Sequence, residues 1–161
     1  LTAEVTERQR AEEALRQSEK YFRTLIEGGS DLIAILRVDG TIDYASPSHK
    51  RLLGYESEEL QKKKVFLFIH PEDVACVMTA FAAGVQGAET PDSIEFRFRH
   101  KDGSWRTLES AGQNLLASPI INGILINSRD ITDRRAVEDI LKKNEERFRA
   151  LVENSTDVVM I

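Results

Sequence analysis

The residues able to do chemistry are few and widely spaced. Histidines stand at 49, 70 and 100, with none of the short spacings that place two metal ligands on one face of an element, so no metal site is expected. His70 precedes Pro71-Glu72-Asp73, a helix-starting sequence, and its expected work is capping and packing there. The single cysteine, Cys76, lies in Val74-Ala75-Cys76-Val77 and reads as a small buried hydrophobe in a reducing compartment. Arg97, Arg99 and Arg106 could hold an anion, but alternation turns the first two to the wet face of a strand. Ser110 and Asn114, polar residues on an otherwise apolar strand, are the groups that could orient a bound molecule. The aromatics Phe66, Phe68, Phe81, Phe96 and Phe98 either line a ligand cavity or fill a core, and Tyr44 has the same two readings. No Gly-rich phosphate loop, nucleophile elbow or HExxH run occurs, and complete kinase boxes are missing, which removes the basis for an enzyme reading.

The elements that must position these residues follow from local pattern. Thr6 with Gln9 fits a capping box, and the stretch to Glu27 lacks Gly and Pro, predicting a long helix that stops at Gly28-Gly29. Leu32 to Val38 and Thr41 to Ala45 flank Asp39-Gly40 and read as a hairpin. Ser46-Pro47 opens a short helix reaching Gly54, and Pro71 opens a longer one to about Val85. Ser93 to His100 alternates, with Ile94, Phe96 and Phe98 on one face. Strands Ser104 to Leu116 and Ile124 to Ile131 follow, and Thr132 caps a second long helix. The order predicts an α+β fold with a mainly antiparallel sheet. Leu32, Leu36 and Leu125 are expected on the face opposite Ile33, Ile35 and Ile126, with the adjoining long helix covering that second face.

Composition agrees with one folded domain plus extensions in 161 residues: 41% hydrophobic, 30% charged. The 22 basic and 27 acidic residues give a net charge of -5, which excludes a single-sign field for nucleic acid. No apolar run is long enough to span a bilayer, the start is not a signal peptide, and no membrane contact is expected here.

The chain also repeats itself at an offset of 126. Phe22-Arg23-Thr24-Leu25-Ile26-Glu27 aligns with Phe148-Arg149-Ala150-Leu151-Val152-Glu153, and the match continues from Asp31 to Ile35 against Asp157 to Ile161. The expectation is a piece of a tandem array: connector helix 1–17, domain 18–132, connector helix 133–153, and at 154–161 the start of a following unit with its first strand.

Residues 18–132 resemble a PAS domain, the sensory box of signalling proteins. The resemblance is carried by Asp31-Leu32-Ile33, Asp39-Gly40-Thr41-Ile42, Ser46-Pro47-Ser48, Leu53-Gly54-Tyr55, His70-Pro71-Glu72-Asp73, Lys101-Asp102-Gly103-Ser104 and Asp130-Ile131-Thr132-Asp133-Arg134, in order. It implies a five-stranded antiparallel sheet with short helices on one face, flanked by signalling helices, and a small cavity between. Candidate pocket residues are then Ile33, Ile35, Tyr44, Phe66, Phe68, Phe81, Phe96, Phe98, Ser110 and Ile126. Asp130, Ile131 and Thr132 become the joint that passes the domain's state to the output helix. Haem-binding relatives carry an axial histidine after such a proline, and 72–85 has none; light-sensing relatives use an Asn-Cys-Arg-Phe-Leu-Gln box, which Cys76 lacks. The cofactor stays unknown, with haem and a flavin-cysteinyl adduct disfavoured.

The resemblance implies a non-catalytic sensory module of a cytoplasmic signalling protein, a sensor histidine kinase foremost. The alternatives are a ligand-free dimerisation or spacer domain, or the sensor of a cyclic-dinucleotide enzyme or transcriptional regulator. In the connectors, Leu15 and Phe22 stand seven apart, as do Leu141 and Phe148; Leu25 belongs to a second such row, and Val137 keeps step with Leu151. This predicts a short heptad seam and a homodimer through the helices, unless the stripe packs on its own sheet. Because 126 is divisible by seven, both connectors hold the same phase.

Overall fold

The computed structural model describes the backbone of residues 2–159 and the side chains of residues 5–24 and 29–154. The chain forms two compact units, one ending at Asp130 and the other starting at Ile131.

The first unit begins with α1 (Thr2–Gly28), a helix of 27 residues. Its charged residues pair along the surface, Arg8 with Glu12 and Arg16 with Glu13. The helix starts ahead of Thr6, because Ala3-Glu4-Val5 contains no breaker, so Thr6 lies inside it rather than capping it. It also runs unbroken through residue 17 and ends at Gly28. Side chains from Val5 to Thr24 are exposed, Val5, Leu15, Tyr21 and Phe22 among them. These residues therefore do not cover the second sheet face, contrary to expectation.

Five antiparallel strands follow: β1 (Leu32–Leu36), β2 (Ile42–Ala45), β3 (Ile94–Arg99), β4 (Trp105–Leu115) and β5 (Gly123–Asp130), in the order β2-β1-β5-β4-β3. Two turns share one device. Gly40 and Gly103 take φ of 86° and 93°, while the preceding Asp39 and Asp102 accept from the N–H of Thr41 and Ser104 at 2.9 and 2.8 Å. Between β2 and β3 lie α2 (Ser48–Leu53), α3 (Ser57–Leu60), a 3-10 turn (Val65–Phe68) and α4 (Pro71–Val85). Ser46 does not cap α2 with its side chain; its Oγ accepts from the N–H of Ile33 at 3.1 Å and bonds Ser48 Oγ at 2.8 Å.

Register sorts the faces. Leu36 pairs with Ile124, Ala34 with Ile126 and Leu32 with Ser128, so these share the inner face, while Ile35 and Leu125 share the outer one. The expected grouping of Leu125 with Leu32 and Leu36 is thus corrected. Ile124-Leu125-Ile126 is apolar at every position, so alternation carried no phase, and a one-residue slip reverses every side chain. The inner face meets the helices in a core containing Leu53, Leu60, Phe68 and Phe98.

The second unit contains α5 (Thr132–Val159), exposed from Asp133 to Asn154. Val137, Ile140, Leu141, Phe148, Leu151 and Val152 are all exposed. Where the repeat predicts a strand after Asn154, the backbone stays helical to Val159; a strand needs a hydrogen-bonded neighbour, and none of the five strands pairs with this segment. Met160 and Ile161, the end of the repeat match, lie outside the described residues. No described helix is long and apolar enough to cross a membrane.

Candidate ligand cavity and signal joint

The placement of α4 sets the site. Pro71 occupies the first turn, and His70 caps the helix, its Nδ1 accepting from the N–H of Glu72 at 3.1 Å. Asp73 then clamps the helix start to β3. Its carboxylate accepts from the Arg97 backbone N–H and Nε, each at 2.9 Å, and from Nη2 at 3.0 Å. These bonds hold the Asp73 carboxyl below the usual carboxylate value.

Val74, Val77, Phe81 and Gly84 recur at helical spacing on α4, and Val77 is its buried residue. Val77, Ala80, Phe81 and Gly84 face β1 and β3 to β5 across a cavity of about 400 Å³. Phe66 closes one side, meeting Phe81 edge to face with ring centroids 5.7 Å apart. Ser110 lies on the sheet wall, its Oγ 2.6 Å from that of Ser128, its partner across β4 and β5. Asn114 also lines the cavity, but its amide is spent: Nδ2 donates to the carbonyls of Gly84 and Val85 at 2.9 and 3.3 Å, and Oδ1 accepts from Leu116 N–H at 3.0 Å.

Of the sequence-derived pocket residues, Phe66, Phe81, Phe96, Ser110 and Ile126 line this cavity. Phe68 and Phe98 do not; they stack on each other at 5.5 Å in the neighbouring core, with Tyr55 edge-on to Phe68. Ile33, Ile35 and Tyr44 are also elsewhere, since Ile35 pairs with Tyr44 on the outer sheet face. The reading missed Leu36, Val65, Ile69, Val77, Ile94 and Ile124. The spacing of Val74, Val77 and Phe81 could have found Val77, but Leu36 and Ile124 needed the register.

Cys76 is exposed, not buried. One residue before Val77, it is turned about 100° from the buried side of α4. The three arginines do not converge on a ligand: Arg97 is held by Asp73 and Glu72, Arg99 sits 5.9 Å over the Phe68 ring, and Arg106 Nε donates to Asp130 at 2.8 Å. His49 is buried, its Nδ1–H donating to the Ser46 carbonyl at 2.9 Å; burial lowers its pKa against the opposing effect of that bond.

At the proposed joint, Asp130 is the last residue of β5, its side chain 7% exposed and paired with Arg106. Ile131 is buried and its carbonyl accepts from the N–H of Arg135 at 2.9 Å, while Thr132 is the first residue of α5.

The profile of the PAS fold family matches residues 42–118. A sensory box histidine kinase/response regulator structure from Burkholderia thailandensis is 31% identical, with a TM-score of 0.61 over 80% of this chain and 98% of that one. The PAS domain of an HTR-like protein from Haloarcula marismortui is 25% identical, with a TM-score of 0.59 over 76% and 99%. Among curated relatives, the blue light receptor lreB of Aspergillus flavus is 40% identical over 80 residues, 48% of this chain and 15% of the receptor. The chain thus spans a small part of that relative's length. Profile, strand order and structural likeness agree, and the chain belongs to the PAS domain family.

Proposed function

We propose that this chain is a non-catalytic sensory module that takes a small molecule into the cavity beneath its sheet and passes the change to an output domain through Asp130-Ile131-Thr132 and α5. The observation that carries the reading is the direct run from a cavity wall to the output helix. β5 supplies Ile124 and Ile126 to the cavity, ends at Asp130, and α5 starts two residues later. A displaced Ile126 thereby acts on the residues that start the helix, through one continuous strand. The exposed residues Val137, Leu141, Phe148 and Leu151 support a homodimer through the helices, at the alternating steps of four, seven and three that a heptad seam permits. Leu15 and Phe22 are exposed in the same way on α1; the side chain of Leu25, the remaining seam candidate, lies outside the described residues.

The parent is read as a cytoplasmic sensor histidine kinase, with the kinase reading supported by likeness to the Burkholderia sensory box histidine kinase/response regulator and adjacent PAS units by the repeat at an offset of 126. Light sensing through a cysteinyl adduct has no support in the cavity, which neither Cys76 nor any histidine lines. The test is native mass spectrometry with an absorption spectrum of freshly purified protein. A stoichiometric bound small molecule without visible absorption is expected. A protein that carries nothing and takes up no apolar probe is instead the ligand-free spacer.

A further inference from the structure

Resting on the reading of the cavity as a ligand site, we propose that its ligand is uncharged and mainly apolar, with one hydrogen-bonding oxygen set against Ser110. None of the residues described as lining the cavity is Asp, Glu, Lys, Arg or His. Of the charges on neighbouring elements, Asp73 is paired with Arg97 and Asp130 with Arg106, while Glu89 and Asp92, beside the lining segment, are exposed to water. A carboxylate, phosphate or ammonium drawn inside would lose its water with no counter-ion to replace it, a desolvation cost that the apolar walls cannot offset.

The polar side chains of the lining narrow the choice further. Asn114 is engaged at both ends of its amide with backbone groups. Gln113 pairs in register with Leu125, on the outer face of the sheet. Thr90 lies in the segment after α4 and is exposed, so its hydroxyl is open to water. Ser110 remains, 6% exposed and on the inner wall. Its bond to Ser128 uses one of the two hydroxyl hydrogens that the pair possesses. When Ser128 is the donor, the Ser110 O–H is left for an acceptor oxygen on the ligand. A medium-length alcohol, ketone or ester has this chemistry, with its hydrocarbon against Phe66, Phe81, Phe96 and Ile126.

The experiment compares 1-decanol with decanoate at pH 8, matched in chain length and different in charge, by calorimetric titration into the purified chain after mass spectrometry of any co-purified molecule. Decanol is expected to bind with a dissociation constant of about 10–100 µM, and decanoate about a hundredfold more weakly. Ala80→Leu and Gly112→Val narrow the cavity from opposite walls and are each expected to weaken decanol at least about tenfold while circular dichroism shows the native spectrum. Decanoate binding within tenfold of decanol, or an anion found in the cavity, overturns the uncharged-ligand assignment and leaves the cavity reading standing. Failure of both probes to bind, or decanol binding unchanged in both folded variants, overturns the cavity reading itself.

Discussion

Removing the carboxylate of Asp73 should loosen α4 from β3 and cost far more stability than its surface position suggests. The side chain is 22% exposed and accepts three bonds from Arg97, one of them from the backbone of an edge strand. It also lies in the first turn of α4, where a negative charge favours the helix dipole. A single hydrogen bond to a charged group contributes about 1.5–3 kcal/mol after exchange with water, and because the Arg97 side chain is 38% exposed, solvent screening holds the whole set of three near the value of one. Asp73→Ala should therefore cost about 2 kcal/mol, or about 4–8 °C in Tm. Asp73→Asn keeps an acceptor for the Arg97 N–H and should lose about half as much. Cys76→Ala, on the exposed side of the same helix, should stay within about 0.5 kcal/mol of wild type. The carboxyl's folded pKa lies below its unfolded value, so its contribution is fully present above the unfolded value and disappears as pH falls through the folded one. Urea denaturation of wild type and the three variants at pH 7 should give this ranking, and the gap between wild type and Asp73→Asn should close below about pH 4. A loss under 0.5 kcal/mol for Asp73→Ala, or a larger one for Cys76→Ala, refutes the clamp.

Three further outcomes are expected. Gly40→Ala places a Cβ 2.4 Å from Phe66 Cε2 at φ 86°, whereas Gly103→Ala meets open space at φ 93°; denaturation should show about 1 kcal/mol lost at Gly103 and at least about twice that at Gly40. His49 is disfavoured as a cation in the folded state, so stability should fall as pH drops from about 6.5 toward its lowered folded pKa, by at most about 1.4 kcal/mol per pH unit, and His49→Asn should remove that slope in pH-dependent urea melts. In the parent protein, inserting one residue between Asp133 and Asn144 should abolish signal output while inserting seven preserves most of it, because one residue rotates the downstream face by about 100° and seven restore the seam; equal output from the two insertions would make α5 a passive tether.

Features that depend on local chemistry were legible before any coordinates. Asp39-Gly40 and Asp102-Gly103 specify their turns through a positive φ and an aspartate acceptor, and His70-Pro71 specifies a helix start, because each involves residues within one turn of each other. The alternation of β3 was equally plain, since its outer positions are charged. β1 and β5 defeated the same logic: Leu32 to Leu36 contains no polar residue, so only the pairing of Ala34 with Ile126 shows which side faces the cavity. Five pocket residues were found because they are large and apolar or conspicuously polar. Ile33, Ile35 and Tyr44 were misplaced because apolar character does not distinguish the two faces of β1 and β2, and all three are partly buried on the outer one. Cys76 was misjudged on residue type alone, where its phase relative to Val77 on α4 decides.

The strand order has a mechanical consequence. β1 and β5 are antiparallel neighbours in the middle of the sheet, and Leu32, where the chain enters β1, pairs with Ser128, two residues before β5 ends. A pull on residues 32 and 130 acts at one end of this ladder and opens its bonds in succession, as a zip opens, instead of shearing them together. The domain is then mechanically soft between its own ends, and its softest line runs beside Ile124 and Ile126, so tension along the chain and occupancy of the cavity act on the same strand. Force spectroscopy with handles at 32 and 130 should yield a lower rupture force than handles at 32 and 123, which load the same ladder in shear; equal forces would dissolve the coupling.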